Sequence, residues 1–489
     1  MVLSTAAGRK PIAAVARWAS VAAALLLTAR AGALSSRAKL TAGIEQALRA
    51  EQIASAHCGV LIARARDGQV WYAQNAEKLF VCASNAKLFT AAAALGILGP
   101  YFRFHSAVLA DSKPDDAGIL RGNLYIKGSG DPTLEDAHLQ AMALWLRDLG
   151  VRRVEGDIVA DSSAWQAAPF GMGWAWDDFN SYYSVEISAL SLDKNAVTVI
   201  VTPGAKQGEP CRVELNPTTA YLSMENGSVT TCKGAPGDIE VERPLLSRTI
   251  AVKGSLGLDG PAARVRVSVP DPALFCAYQL RDAMTSLGIE VAGGPSKGQA
   301  PPEAMPLTMH RSDCLAEMLP VLLKPSDNHI AEQLLHAMGA VRASTYAPGS
   351  AEAGLLELNT FLRGLGIGEK QLRLVDGSGL SRLNLASPRA VVKLLRAMRR
   401  SADWDVWYES LPAPGEGTLT RRLLRTPAEK SLRAKTGSLD SVSALSGYVT
   451  TADGEMLAFS FMFNHFSGPG REVREIEDRL VLLLAAYSY

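Results

Sequence analysis

The chain has 489 residues, of which 48% are hydrophobic and 20% are charged, so it is long enough for two or three compact domains. Lysine and arginine together number 50, against 49 acidic residues. This balance gives no basic field that would favour nucleic acid and no acidic excess typical of a disordered tail. Composition therefore favours a globular protein that acts on a small or local substrate.

Residues 1–33 have the pattern of an export signal. Basic residues up to Arg17 precede an apolar run, and Ala31-Gly32-Ala33 offers the small residues after which a signal peptidase cuts. A membrane anchor is the alternative, but only twelve residues separate Arg17 from Arg30, fewer than the roughly 20 that span a bilayer. We predict cleavage after Ala33, a periplasmic location and no transmembrane anchor in the mature chain.

The next predicted elements are a hairpin and a helix. The stretch "HCGVLIARARDGQVWY" from His57 indicates two strands joined by an Arg-Asp-Gly turn. A helix is predicted from about Ser84 through "KLFTAAAALGIL", with Gly99-Pro100 as its stop. Ser84 and Lys87 then share one face of the first helical turn, and the Ser84 amide lies at the positive end of the helix.

Residues 104–295 have short alternating segments divided by Gly, Pro and Asp, which predicts a β-rich region. A Trp-rich stretch within it, "GMGWAWDDFNSYYS", is either a packed core staple or a ligand-facing loop. We predict that this region is inserted into an α/β body formed by residues 34–103 and 296–489.

Helical patterns return in the last third of the chain. Pro325 is expected to end one helix, and Ser326 or Asp327 to cap the next. Ser387 is a predicted N-cap, with Pro388 at the first helical position. After these, a hairpin with its turn at residues 451–454 and a closing helix over residues 472–487 are predicted.

The six cysteines include no C-x-x-C pair, and the seven histidines include no H-x-x-x-H pair. The sequence therefore predicts no metal site and no organic cofactor. Export would permit disulfides, and Cys211 and Cys232, which flank a short polar segment, are the predicted pair. Cys82 has three interpretations: a redox-sensitive thiol, a partner of Cys58, or a buried free thiol.

Three short motifs carry the candidate chemistry. Ser84-x-x-Lys87 has a chance copy at residues 36–39, so this spacing alone decides nothing. Ser84 differs because Ser326-Asp327-Asn328 and then Lys435-Thr436-Gly437 follow it. Each motif alone has an ordinary structural explanation, such as a helix cap, a capping turn or a strand end. The ordered set favours a catalytic site.

The residue types suit acyl transfer by a serine nucleophile. A serine hydroxyl needs a base, and Lys87 can serve only when its amine is neutral, so its pKa must be lowered by burial and by a second cation, for which Lys435 is the candidate. Ser326 is expected to relay a proton to the leaving amine, and Asn328 to bond both Lys87 and the substrate amide.

The third motif is predicted to lie on an edge strand that receives the substrate. Gly437 is expected to let a substrate backbone approach closely, and the hydroxyls of Thr436 and Ser438 to hold a carboxylate. The backbone N–H groups of Ser84 and Ser438 are expected to form an oxyanion hole.

In this order the three motifs are typical of active-site serine penicillin-binding proteins and serine β-lactamases. The chain resembles, more narrowly, the class C low-molecular-mass penicillin-binding proteins, which are D-alanyl-D-alanine carboxypeptidases and endopeptidases. The longer phrases that carry this resemblance are "KGSGDPTL" at 127–134, "WAWDD" at 174–178, "LSLDKNAVTV" at 190–199, "VDGSGLSR" at 375–382 and "RAKTGSLDSVSALSGYV" at 433–449.

The resemblance implies a transpeptidase-type α/β domain, in which an antiparallel sheet is flanked by helices, with two β-rich domains inserted between the first two motifs. It also implies a specificity pocket for the charged end of a diaminopimelate side chain, at Asp177, Tyr182 and Arg382. These residues have structural alternatives: Asp177 as a turn cap, Tyr182 as a packing residue and Arg382 as the partner of an acid such as Asp376.

The leading interpretation is an exported serine D-Ala-D-Ala carboxypeptidase that acts on peptidoglycan stem peptides through an acyl-enzyme on Ser84. The D-Ala–diaminopimelate cross-link is a second possible substrate, and β-lactam antibiotics are expected to acylate the same serine. A serine β-lactamase of the same fold is one alternative, against which the absence of an E-x-x-L-N element counts. A non-catalytic, wall-binding scaffold is the other.

Overall fold

The structure is a computed structural model that describes residues 37–341 and 349–488, so the predicted signal peptide lies outside the described residues. The helices of this part of the chain are α1 (Arg37–Leu48), α2 (Ala86–Leu98), α3 (Asp136–Asp148), α4 (Pro272–Ser286), α5 (Leu315–Leu323), α6 (Asn328–Val341), α7 (Ala351–Gly364), α8 (Pro388–Met398), α9 (Trp404–Ser410) and α10 (Gly470–Ala485).

The strands of the first half of the described chain are β1 (His57–Arg64), β2 (Val70–Gln74), β3 (Phe80–Val81), β4 (His105–Ala110), β5 (Ile119–Leu120), β6 (Leu124–Gly128), β7 (Arg153–Val154), β8 (Ile158–Asp161), β9 (Ala196–Thr202), β10 (Arg212–Asn216), β11 (Ser223–Asn226) and β12 (Val229–Thr231). The strands that follow are β13 (Asp238–Glu242), β14 (Thr249–Gly257), β15 (Ala263–Ser268), β16 (Glu290–Val291), β17 (Pro295–Lys297), β18 (Met305–Arg311), β19 (Leu372–Arg373), β20 (Leu385–Ala386), β21 (Leu432–Leu439), β22 (Val442–Thr450) and β23 (Met456–Asn464).

The main body is built on an antiparallel five-stranded sheet in the order β2-β1-β23-β22-β21. Because side chains alternate along a strand, Val60 and Ile62 of β1 pack on the face covered by α1 and α10. Leu61 and Ala63 face the other core, to which α2, α6 and α8 contribute. Both faces are covered, which explains why these strands are apolar almost throughout.

The insertion carries its own core and four sheets. A five-stranded sheet in the order β17-β8-β6-β4-β18 lies beside a small parallel sheet, β16-β7-β5. The other two are β10-β9-β15 and a sheet in which β14 pairs with β11, β12 and β13. A small sheet, β19-β20-β3, belongs to the main body. The predicted fold class, an antiparallel sheet flanked by helices with inserted β-rich domains, is confirmed.

The insertion is less purely β than the sequence suggests. It contains α3 and α4, which pack on each other and on its sheet through Leu139, Met142, Leu280 and Met284. The sequence on either side of these helices alternates between apolar and polar residues, and this strand pattern led to the prediction of a β-rich region without helices. Strand β18 pairs with β4, so the sheet extends past the boundary predicted at residue 295.

Most local expectations for the main body agree with the structure. The early hairpin is β1 and β2, and α2 ends at Leu98 before Gly99, whose φ of 81° suits glycine. Ser387 caps α8 by accepting a hydrogen bond from Ala390 N at 3.1 Å. The late hairpin is β22 and β23, and α10 is the closing helix.

The predicted Cys211–Cys232 disulfide is wrong, since both cysteines are free. Cys211 N donates to Ser228 O, so along this antiparallel contact Cys232 lies four residues beyond the position opposite Cys211. At about 3.3 Å per residue this offset is far longer than the reach of a disulfide.

Cys58 and Cys82 are also free, so the alternative bridge between them is not formed either. Cys82 is fully buried, and its Sγ donates to Asn384 O at 3.7 Å. Burial is the main cause that raises the pKa of the Cys82 thiol to about 12. A buried thiol that resists ionisation is a poor redox sensor, so the structure favours the third interpretation, a buried free thiol.

Among the described residues, no helix is both long and apolar enough to cross a membrane.

Candidate active site

Ser84 lies on a short 3-10 turn, Ala83–Asn85, that leads directly into α2. Ala83 has a φ of 46°, a conformation that is unusual for a residue other than glycine. Gly379 packs on this turn so closely that a Cβ there would lie 1.9 Å from Ala83 O. Ser84, the candidate nucleophile, therefore lies on a backbone that its surroundings hold in one shape.

The Lys87 side chain is fully buried and points at Ser84. Its Nζ lies 3.0 Å from Ser84 Oγ, and it donates to Asn328 Oδ1 at 2.5 Å and to Ser378 O at 2.6 Å. A neutral amine has two N–H donors and one lone pair. Since two of its partners can only accept, a neutral Lys87 directs its lone pair at the Ser84 hydroxyl, as a general base must.

Burial is the main cause that lowers the pKa of Lys87 to about 8, while the carboxylates of Asp376, Asp327 and Glu332 oppose this shift. The neutral form is thus a substantial minority near neutral pH and becomes dominant above pH 8. A lysine in water would be almost wholly protonated over this range.

Lys435, on β21, and Ser326 form a second pair of contacting side chains in the site. Lys435 is fully buried, and its Nζ contacts Ser326 Oγ at 2.7 Å and Thr436 O at 2.9 Å. Burial, and secondarily the charge of Lys87, hold the pKa of Lys435 well below its usual range. The predicted repulsion between the two lysines is present, but it acts mainly on Lys435, and burial accounts for the lowered pKa of Lys87.

The second motif is held by the insertion as well as by its own helix. Asp327 caps α6, because its Oδ1 accepts from Ile330 N at 3.1 Å, and its Oδ2 accepts from Lys194 Nζ at 2.7 Å. Asn328 Nδ2 donates to Tyr183 O at 2.8 Å, which leaves Asn328 Oδ1 for Lys87. Of the two predicted caps, Asp327 is the one that the structure supports, and Ser326, with a φ of 66°, is turned toward Lys435.

Gly437 is required for packing inside the protein, whereas the sequence predicted that it lets a substrate backbone approach. A Cβ at this position would lie 2.9 Å from Cys82 O and 3.2 Å from the Ala83 side chain. The glycine therefore lets β21 pack directly on the turn that carries Ser84, which brings the first and third motifs together. The Thr436 hydroxyl lies 2.7 Å from the Thr418 hydroxyl, and Ser438 is exposed.

One cavity of about 520 Å³ joins the three motifs, with Ser84, Ser326, Thr436 and Ser438 in its walls. Its volume falls in the range of about 300–1,000 Å³ that is usual for small-molecule sites. The candidate nucleophile Ser84 and the candidate carboxylate-binding hydroxyls thus face a common space, while the Lys87 amine that contacts Ser84 is fully buried. Within the part of the chain that the structure describes, no group of three or more His, Cys, Asp or Glu side chains could hold a metal ion.

Comparison with known proteins gives the family. Residues 40–487 match the model of the D-Ala-D-Ala carboxypeptidase 3 (S13) family. The chain belongs to this family of low-molecular-mass penicillin-binding proteins. It is 37% identical over 466 residues to a D-alanyl-D-alanine carboxypeptidase of an Actinomadura species, with 92% of this chain and 85% of the relative covered. It is 30% identical over 417 residues to the D-alanyl-D-alanine carboxypeptidase DacB of Haemophilus influenzae, with 84% and 85% covered.

A solved structure agrees with this assignment. The chain superimposes on penicillin binding protein 4 (dacB) from Haemophilus influenzae with a TM-score of 0.79 and 27% identity, covering 91% of this chain and 99% of that one. The expectation of a serine-type D-Ala-D-Ala carboxypeptidase is confirmed at the level of the family.

Two buried acids, Glu332 and Asp376, hold the loop that contacts Lys87 without touching the lysine itself, and neither was predicted from the sequence as a site residue. Glu332 accepts hydrogen bonds from the backbone N–H groups of Gly377 and Ser378. Asp376 accepts from Gly379 N and Asn384 Nδ2 on Oδ1, and from Ser381 N and Trp174 Nε1 on Oδ2. These last contacts measure 2.7 to 3.0 Å. Together they fix the loop whose Ser378 carbonyl accepts from Lys87.

The three residues predicted to recognise diaminopimelate are not among the residues that line the cavity at Ser84. Asp177 is exposed on a 3-10 turn, Trp176–Asp178. Tyr182 is 51% exposed, with the Arg266 guanidinium 5.3 Å from its ring centre. Arg382 donates to Asp440 O at 3.0 Å, so it is not the partner of Asp376. Within the described residues no hydrogen bond joins the three side chains, and their role stays a prediction.

The lowered pKa of Lys87 predicts the pH dependence of acylation in this penicillin-binding protein. Only the neutral amine can accept the Ser84 proton, so the second-order rate constant for acylation should rise about tenfold per pH unit at acid pH and level off above about pH 8. Time courses of labelling with a fluorescent penicillin across this range would measure it. A profile that is flat through pH 8 would contradict the assignment of Lys87 as the base.

Proposed function

We propose that this chain is an exported serine D-Ala-D-Ala carboxypeptidase of the periplasm, which cleaves peptidoglycan stem peptides through an acyl-enzyme on Ser84. One observation carries the proposal: the buried Lys87 amine has two acceptor-only partners, Asn328 Oδ1 and Ser378 O, and a third contact with the nucleophile. This arrangement suits proton removal from a serine hydroxyl and has little value in a scaffold.

The proposed reaction has two steps. Ser84 Oγ attacks the carbonyl carbon of the penultimate D-Ala while its proton passes to Lys87, and the N–H groups of Ser84 and Ser438 receive the oxyanion. The C–N bond then breaks, and the proton reaches the leaving amine through Ser326, which already contacts Lys435. Water then attacks the ester carbonyl and gives one proton to Lys87; the bond from Ser84 Oγ to the acyl carbon breaks, and Ser84 Oγ takes that proton, which frees the acid and restores the serine.

The relatives support the substrate and the inhibitors. The first two matched proteins are named D-alanyl-D-alanine carboxypeptidases, and the Haemophilus penicillin binding protein 4 has also been solved in complex with a β-lactam, at a TM-score of 0.73 to this chain. A β-lactam ring amide imitates the acyl-D-Ala-D-Ala bond, so we expect penicillins to acylate Ser84. The predicted signal at residues 1–33 supports export.

Intact-mass analysis after incubation with benzylpenicillin tests the proposal. We expect one lasting adduct on the mature chain, none on the Ser84→Ala variant, and release of D-Ala from a peptide that ends in D-Ala-D-Ala. Prompt loss of the adduct without release of D-Ala would favour a β-lactamase. No adduct and no release of D-Ala would favour a scaffold.

A further inference from the structure

A second cavity, of about 300 Å³, lies within the insertion and shares no lining residue with the cavity at Ser84. One wall is the three-stranded sheet β10-β9-β15, where strand register places Asn216, Thr198 and Arg266 side by side. The segment 132–136, which leads into α3, forms another wall. This volume is at the lower end of the range usual for small-molecule sites, so the cavity suits a ligand much smaller than a stem peptide.

A third wall is the turn Asp193–Asn195, which belongs to the segment "LSLDKNAVTV". Asp193, Lys194 and Asn195 have φ values of 50°, 57° and 54°, so three consecutive residues other than glycine are left-handed. Asn195 is buried and holds the turn, since its Nδ2 donates to Glu186 O at 2.8 Å and to Ser191 Oγ at 3.1 Å. Strained backbone of this kind is concentrated at functional sites, and here it carries two charged residues into the cavity wall.

The charged residues of this cavity differ in whether the protein already supplies their partners. Both carboxylate oxygens of Asp136 accept hydrogen bonds from glutamine side chains, and Lys194 Nζ donates to Asp327 Oδ2 at 2.7 Å. Among the described residues, no group donates to Asp193 Oδ2, which is buried, and no carboxylate forms a salt bridge with Arg266, which is exposed. The acid and the base that lack a partner charge therefore line the same cavity.

The Asp193 carboxylate is in an unfavourable environment for a negative charge. Burial is the main cause that raises the pKa of Asp193 to about 6, and the charges of Asp136 and Glu135 add to the rise, whereas Arg266 opposes it. An ammonium group at Asp193 Oδ2 would offset these costs by pairing with the carboxylate and donating a hydrogen bond. A carboxylate on the same ligand would then pair with Arg266. The cavity therefore favours a small molecule that carries both charges.

We propose that this cavity binds a free α-amino acid, whose ammonium group pairs with Asp193 and whose carboxylate pairs with Arg266. In an α-amino acid one carbon atom separates the two charged groups, so even the smallest members present both charges within a cavity of this size. D-alanine is the candidate ligand because the proposed function releases it, and this choice of ligand rests on that function. Lys194 joins the cavity to the second motif through Asp327, so the ligand would lie against a residue that supports the catalytic site.

Equilibrium dialysis with radiolabelled D-alanine tests the site in mature enzyme that benzylpenicillin has first acylated on Ser84. The adduct occupies the cavity at Ser84, so a D-alanine that still binds must lie elsewhere, and we expect one per chain. D-alaninamide lacks the carboxylate and propionate lacks the ammonium group. Each should compete at least about tenfold more weakly than D-alanine, because each loses one charge-assisted pair. L-alanine keeps both charges, and binding of L-alanine tenfold or more tighter than D-alanine would overturn D-alanine as the ligand.

Variants locate the bound amino acid. Arg266→Gln and Asp193→Asn should each weaken the binding of D-alanine by about tenfold or more. Asparagine tolerates the left-handed conformation of residue 193, so the turn should be retained. Arg264→Gln removes an exposed arginine of the same strand that does not line the cavity, and this matched control should bind D-alanine as the wild type does. Thermal unfolding of each variant verifies that it is folded.

Several results would overturn the site: no binding of D-alanine to the acylated enzyme, equal competition by D-alaninamide or propionate, or unchanged binding in either cavity variant. Equal weakening in Arg264→Gln would overturn it as well. If benzylpenicillin does not acylate the wild type and no D-Ala is released from a peptide, the proposed function fails instead. The analogues and the two cavity variants would then decide the site on the unmodified enzyme.

Discussion

Replacing Lys87 by arginine should reduce acylation by penicillin, and release of D-Ala, by about 10²–10⁴, as much as replacing it by methionine. Arginine keeps the positive charge at this position but cannot lose its proton in a protein. If Lys87 acts as a base, charge alone has no value and both variants should fail alike. If it acts by attracting the substrate, arginine should preserve most of the activity.

The measurement is the second-order rate constant for acylation, followed by intact mass and compared with the thermal stability of each variant. Lys78→Met, which removes an exposed lysine of the main body, is the control and should leave both quantities unchanged. Methionine leaves two buried acceptors, Asn328 Oδ1 and Ser378 O, without their donor, so some loss of stability is expected as well. A loss of activity far greater than the unfolded fraction of the variant would identify a chemical role. A Lys87→Arg variant that retains activity would contradict the mechanism.

The parts of the site that the sequence predicts are those whose geometry is local. Ser84 and Lys87 lie one helical turn apart, so an apolar helix that starts at this point is enough to bring them together. Asp327 and Ser387 act as caps because the start of a helix has unpaired N–H groups, which these side chains satisfy. The meeting of the three motifs could be expected only from the resemblance, since residues 84, 326 and 435 have no local connection.

The parts that escaped prediction depend on tertiary contacts of ordinary residues. Ser378 contributes a backbone carbonyl, which any residue type could supply. Glu332 lies on a helix, where a glutamate is usually solvated, and here it is buried against two backbone amides. The free state of Cys211 and Cys232 depends on strand register, which their spacing in sequence does not reveal. Burial, one of the two causes predicted for the low pKa of Lys87, is the main one, whereas the predicted effect of one lysine on the other falls on Lys435.

The segment "VDGSGLSR", one of those that carry the resemblance, has a structural role that the resemblance alone does not reveal. In the structure this segment wraps around the Asp376 carboxylate, and its Gly379 packs on the turn that carries Ser84. Its function in the fold is to hold one carbonyl against Lys87. The buried acid thus holds the loop whose Ser378 carbonyl accepts from Lys87.

Asp376→Asn should therefore lower both stability and acylation. The carboxylate accepts hydrogen bonds on both oxygens and is 1% exposed, and an asparagine would place its NH₂ group against at least one pair of these donors. Leaving such buried donors unpaired is expected to cost about 3 kcal/mol or more of unfolding free energy. Urea unfolding would measure this loss, with the exposed Asp116→Asn as the control.

Asp376→Asn should have two opposing effects on the rate of acylation, one through the pKa of Lys87 and one through the position of Ser378 O. The pH profile of the variant separates them. Asp376 raises the pKa of Lys87, so its loss should move the acid limb of the acylation profile to lower pH and increase the neutral amine near pH 7. The loosened loop should at the same time withdraw Ser378 O from Lys87 Nζ, and we expect this loss of position to dominate, with acylation at least about tenfold slower at its pH plateau. A variant whose acylation profile is shifted to lower pH, but whose plateau rate equals that of the wild type, would show that the loop does not position Lys87.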